Sequence, residues 1–504
     1  MPSNSYDLVV LGDDLATLVC AALCARRGMR TLILGDDRPV RYTLGPHKLP
    51  IEPVLWPTAA GSAGERVLKE LHGELALRRK FREPRIAAQV VAPDFRIDLG
   101  ADRIAAELAR ELGATSEAAL ARWQKGSEVA RLFDPLLGGE HSFPGVGFFE
   151  RPKVAKLAEQ LGERAAAWWQ DVETDPSCAL WRGLAAIALR HPDAPPAAIA
   201  RALDAWYAGP PALRGDGEAI RDLLVEKLTT AGGEVRTGTV AEVNISWSKI
   251  TSIVLANGDE IGSGQVVTSR SPHALAELLG KRAPKQLAQL AATMSIVGYR
   301  YTLNVVLDEA GLPEHMAPTV AVIASTDKPP VGDAAFSVHL GEADDAGRVI
   351  ATIAAVLPSE GGATGHVSVD PDRLIAKCMA LRAGLWRRLG EVMPFFEKHL
   401  VLAHSPFEAT APHVPGGRGS YDVPRNLPLP MTPVWRGQLA ATAETGALPY
   451  VTGLKNVTLT GDQVLPVLGI EGALAAGWSA AKIACALAGK KKDYLRDEVV
   501  GAAS

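Results

Sequence analysis

The chain has 504 residues, 47% of them apolar and 22% charged, enough apolar material for a large core shared among two or three domains. Its 53 Lys and Arg stand against 57 Asp and Glu, a net charge of −4 that excludes a nucleic-acid partner recognised by bulk charge. Five scattered cysteines (Cys20, Cys24, Cys178, Cys378, Cys485) show neither CxxC nor metal-ligand spacing. That usage fits a reducing compartment. The opening "MPSNSYD" lacks the basic and apolar regions of a signal peptide. No apolar run is read as approaching the ~20 residues of a membrane span. The expectation is a cytoplasmic protein, with peripheral membrane contact left open.

Residues 6–11, "YDLVVL", read as a strand buried on both faces, and 14–27, "DLATLVCAALCARR", as a helix stopped by Gly28. "RTLIL" at 30–34 supplies a second strand, so the first ~30 residues form a βαβ unit. A polar stretch, "GDDRPVRYTLGPHKLP", follows. More than a hundred residues after it read as helical and rich in Ala, Leu and Arg, including 101–113 and 151–170. The pair Trp168-Trp169 ends one of these helices, either facing the core or offering a docking edge. With Trp123, Trp181, Trp386 and Trp435 it supplies aromatic material for the core or for an apolar pocket.

Between 214 and 269 the pattern is a helix capped by Asp216 and ended by Gly232-Gly233. Strands at 234–237, 240–246 and 249–256 follow, then an Asn257-Gly258 hairpin turn and the strand "QVVTS". Further strands ("YRYTLNVVLD", "GRVIATIAAVL"), an amphipathic helix ("DRLIAKCMALRAGLWRRLG") and a Pro/Gly loop at 413–430 lead to the last segment. That segment, "NVTLTGDQVLPVLGIEGALAAGWSAAKIACALAG", reads as strand, Gly-punctuated turn and helix. The basic run "GKKKDYLRD" after it reads as a solvated tail.

Four of these stretches occur in an order that resembles the FAD-dependent oxidoreductases of the phytoene-desaturase and flavin amine-oxidase type. They are "YDLVVLG…RRGMRTLIL", "LGPHKLP", "GDGEAIRDLL…GGEV…TVAEV…ANGDEI…VVTS" and "NVTLTGDQVLPVLGIEGALAAGWSAA". The resemblance implies an α/β fold: an FAD/NAD(P)-binding Rossmann-like domain with a discontinuous α+β substrate domain. The first would be assembled from residues 1–60, 200–280 and 441–504, the second from 61–199 and 281–440. It implies FAD as cofactor and oxidation of an apolar, isoprenoid-like substrate. Gly12, Asp14 and Thr17 would stand at the pyrophosphate turn, and Val240 beside adenine. Gly461 and Asp462 would lie near the pyrophosphate and ribityl chain. Gly469, Ile470, Glu471 and Gly472 would meet the flavin's pyrimidine edge. Because flavin carries the redox chemistry, no catalytic acid or base is implied. His47, His404 and His413 read as loop or core residues, and no metal set is present in the pattern.

The first motif departs from the family. In G-x-G-x-x-G the second glycine admits the backbone to the phosphates and the third lets helix and strand pack closely. Here those places hold Asp14 and Thr17. Like charges ~4 Å apart at an effective dielectric of ~20 repel by roughly 4 kcal/mol before screening. Asp13 or Asp14 can also cap the helix and fill the anion site with protein. The ribose-gripping acid falls at Gly35, with Asp36 or Asp37 one or two residues away, and Arg38 or Arg41 within reach of a phosphate or simply at the surface. Two readings stay open. One is an FAD-dependent oxidoreductase with a weakened grip. The other is a cofactor-free descendant that binds a protein partner or lipid, a route the guanine-nucleotide dissociation inhibitors of the same fold exemplify.

Overall fold

A computed structural model describes residues 4–489 apart from 37, 57–60, 83, 174–177, 360–370 and 416–420; Asp37 and the basic tail thus lie outside the described residues. β1 (Asn4–Leu11) is fully buried over its last four residues. Two parallel neighbours, Glu260–Thr268 and β2 (Thr31–Gly35), leave it no water-facing edge. The seven-stranded sheet continues on one side through the antiparallel hairpin Val240–Ser246 and Lys249–Leu255, and on the other through Glu234–Thr237. Val457–Leu459 pairs with the end of Glu260–Thr268, so the sheet draws on the start, middle and end of the chain.

α1 (Leu15–Arg26) is buried from Ala16 through Ala25, including Cys20 and Cys24, which pack as small apolar groups. It lies against the C-terminal helix Gly469–Leu487. A Cβ at Gly477 would come within 2.3 Å of the Ala16 carbonyl, so glycine there sets the helix spacing. Contrary to the sequence expectation, Pro466–Leu487 is long and apolar enough to span a membrane by length and composition, yet most of it is buried inside the protein. That is the pattern of a core helix.

A second, eight-stranded sheet carries Ser295–Asp308 between Arg348–Pro358 and Leu400–His404, with Thr432–Arg436 also paired to it. Its far end is formed by Ala88–Ala92 and Phe95–Leu99. These two strands interrupt a stretch read from sequence as helical; they are five residues each and too short for periodicity to separate from helix. A hairpin of β3 (Arg41–Leu44) and β4 (His47–Pro50) likewise replaces the expected polar connection.

Two local readings are corrected. The mid-chain helix spans Asp216–Thr230, which places Gly215, at φ +78°, in the cap position expected of Asp216. Trp168 and Trp169 are both buried, so the docking-edge alternative for that pair falls away.

Candidate functional site

The carboxyl ends of β1, Glu260–Thr268 and β2 meet the start of α1 at one crevice, where open parallel sheets place their ligand sites. Asp14 is the N-cap of α1. One of its carboxylate oxygens accepts from the backbone N–H of Ala16 at 2.9 Å and of Thr17 at 3.1 Å. Thr17 is buried and returns its hydroxyl to the Asp14 carbonyl at 2.8 Å. The donors that a pyrophosphate would take are thus held by the protein's own carboxylate. Asp14 keeps contact with solvent through the crevice. The surrounding protein raises its pKa and the Asp462 charge adds to that, while hydrogen bonds from Ser269, Thr17 and Ala16 oppose the rise.

The neighbouring ribose position is also filled. Asp13 folds over β2, where a Cβ added at Gly35 would lie 3.0 Å from its carboxylate oxygen. Arg221, from the helix Asp216–Thr230, reaches Asp13 Oδ2 at 2.9 Å and its carbonyl at 3.2 Å. Asp36 turns outward to Arg270 at 3.3 Å, and Arg41 is engaged by Glu218 at 3.1 Å.

Adjoining these side chains, and partly lined by them, is a cavity of about 350 Å³. Asp14, Asp462, Gly469, Ile470 and Glu471 all line it, together with Asp13; Gly12, Thr17, Val240, Gly461 and Gly472 do not. Gly12 and Gly461 instead abut Ser269, and Val240 opens the hairpin in register with Leu255. Gly472 is pressed against the Leu465 carbonyl, where a Cβ would sit at 2.3 Å. Of the six tryptophans first considered, none lines the cavity; Trp56 and Trp206 do. Trp123 packs edge-on against Trp181 in the core, and His404 lies buried beside Tyr42.

One wall is a charged cluster that sequence reasoning had not assembled. Glu52 is approached by Arg190 at 3.1 Å, Arg300 at 3.6 Å and Arg38 at 3.8 Å, and Arg300 also reaches Asp462 at 2.8 Å. Burial would raise the Glu52 pKa, but the three guanidiniums outweigh it and the net shift is downward. Burial lowers Arg190 to about 10, still charged at neutral pH. Burial holds His191 down to about 4 and His339 to about 3, the latter with a contribution from Arg190, so both are neutral at pH 7. A second pair, buried Arg201 with Glu471, is bidentate at 2.7 and 2.8 Å and braces the start of the C-terminal helix. The available signal was local: Arg201 and Arg300 interrupt an apolar helix and strand, where an unpaired charge is rare, and Arg190 directly follows an apolar helix.

No protein-family model and no curated protein matches this sequence. Solved structures do. An oxidoreductase from Methanosarcina mazei superposes with a TM-score of 0.57 at 13% identity, over 94% of this chain and 99% of that one. A putrescine oxidase double mutant gives 0.56 at 12% identity, over 96% and 99%. A Rab GDI from Plasmodium falciparum gives 0.52 at 9% identity, over 95% and 98%. The chain therefore has the mixed α/β fold of the FAD-dependent oxidoreductases. Within that fold, the residues at the pyrophosphate and ribose positions do not fit FAD. The phosphate donors are capped by Asp14, the ribose acid is a glycine, and Asp13, bonded to Arg221, packs against that glycine.

Proposed function

We propose that this chain is a cofactor-free protein on the FAD-oxidoreductase fold, whose remaining cavity binds a small molecule with an apolar body. The observation that carries the reading is the Asp14 carboxylate on the first N–H groups of α1, reinforced by the Asp13–Arg221 pair. An anion arriving at that helix end meets a negative charge where the fold ordinarily offers free donors. The five scattered cysteines, without CxxC spacing, fit a cytoplasmic setting.

The oxidoreductase reading keeps one specific support. Asp462 and the uncapped start of the helix Gly469–Leu487 face the cavity as a flavin ring would require. One experiment separates the two. Purified protein is examined for visible flavin absorbance and for FAD released on denaturation, and its melting is followed with excess FAD. A ligand at a hundredfold excess over its Kd stabilises by about 2.7 kcal/mol. The expected result is colourless protein with an unchanged Tm. Stoichiometric FAD would establish the oxidoreductase reading instead. Removing the obstruction with the double substitution D13A/D14G is expected to raise FAD affinity.

A further inference from the structure

We infer that the open half of the cleft is a binding site for a small amphiphile with a single anionic head, a carboxylate or a phosphate monoester on an apolar body. The inference rests on the cofactor-free reading and names the ligand class that reading leaves open.

The cavity wall balances in charge as a whole, and the local distribution of that charge points to an anion. Five arginines and five carboxylates line it. Asp13 is paired with Arg221, and Glu471 with Arg201. Asp14 is held by the α1 N-terminus, whose partial positive charge offsets part of its own. What remains is Arg38, Arg190 and Arg300 against Glu52 and Asp462, three positive charges facing two negative ones. One anionic group balances that cluster.

The hydrogen-bond inventory agrees. Nη2 of Arg190 and Nε of Arg300 are buried and have no hydrogen-bond partner among the described residues. Leaving such donors unpaired costs about 1–3 kcal/mol each, more for a charged group. A planar carboxylate or a phosphate matches the guanidinium fork, so a ligand head that shifts these side chains slightly recovers that cost. The start of the helix Gly469–Leu487, which no side chain caps, stands on the same wall. The body of the ligand is set by the opposite side, where Leu18, Val54, Trp56, Ile187, Trp206 and Ile470 present apolar surface. A volume of about 350 Å³ is at the lower end of small-molecule sites. Because His191 and His339 are neutral at pH 7, the positive charge belongs to arginines and does not titrate in the physiological range.

Calorimetric titration of the flavin-free protein tests the inference with decanoate, decyl phosphate, decan-1-ol and inorganic phosphate as probes. At least one of the two anionic amphiphiles is expected to bind saturably, at least tenfold tighter than decan-1-ol. Which of them does so identifies the head group, and inorganic phosphate alone is expected to bind weakly for want of an apolar body. R190Q is expected to weaken the preferred anion at least tenfold, R190K to retain part of the affinity, and R38Q, at the rim, to weaken it less. R190K and R38Q keep the test informative if R190Q does not fold. Equal affinity for decan-1-ol, no saturable binding of either anion, or undiminished binding by folded R190Q would overturn the inference. Failure of the anions on flavin-free protein removes this inference alone, whereas stoichiometric FAD in the purified protein removes the reading beneath it.

Discussion

The two halves of the cleft are built from the same kind of part, a helix start aimed into a crevice, and they treat it in opposite ways. At α1 the first N–H groups are satisfied by Asp14, and Asp13 is tied down by Arg221. At the helix Gly469–Leu487 no side chain caps the N-terminus, and Glu471 is drawn aside by Arg201. One helix start is satisfied by the protein's own carboxylate; the other stands beside a charged cluster with more guanidinium than carboxylate. The difference teaches that a shared fold does not settle ligand chemistry, which rests on individual side chains.

The largest way to break the contrast is to remove the brace of the open half. R201M leaves Glu471 buried without its bidentate partner, and breaking such a pair costs about 3–5 kcal/mol. Urea denaturation should show a matching fall in midpoint at unchanged m-value. A loss below 1 kcal/mol would mean that the wall relaxes and the cavity is not preformed.

On the closed side, D13A, R221A and the double variant form a cycle. A coupling of about 1–2 kcal/mol is expected for a partly buried, doubly hydrogen-bonded pair. Additive single effects would show that Arg221 does not lock the turn. Smaller still is the cap itself. D14A should cost about 1 kcal/mol, while D14N, an equally good cap, should stay near wild type at neutral pH.

Proton linkage offers the finest distinction, because the two carboxylates respond in opposite directions. Glu52 has a lowered pKa when folded, so its stabilisation is present above its unfolded value and is lost as pH falls through the folded one. Asp14 has a raised pKa, so the wild type gains relative to D14N as pH falls through that raised value toward the unfolded one. Melting series on E52Q and D14N should therefore diverge from wild type with opposite slopes below neutrality. The Asp14 effect should be the weaker, since its carboxyl keeps contact with solvent. Parallel slopes would contradict the assigned environments.

Much of the framework was legible in the sequence. The βαβ start, the Asn257-Gly258 hairpin and the last strand–turn–helix each carry a periodicity or turn signal contained in one short window. An aspartate cap, Asp13 or Asp14, was legible for the same reason, since capping is decided within three residues, and the structure selects Asp14. The charged cluster was not. Arg38, Glu52, Arg190, Arg300 and Asp462 come from five separate stretches of chain, and no local pattern reports which guanidinium meets which carboxylate. The short strands at 88–92 and 95–99 escaped because five residues do not establish a period.

Gly12 and Gly461 both lean on Ser269: added Cβ atoms would meet its Oγ at 2.5 Å and its Cβ at 2.9 Å. Both also hold positive φ, +115° and +95°. The serine is gripped from two sides where the strand ends converge, and each glycine is demanded by that crowding whether or not a nucleotide is present. G12A should therefore destabilise the protein in plain buffer. At this junction a glycine reports how closely the chain approaches itself, and a motif search that counts it as evidence of a ligand is reading a packing constraint.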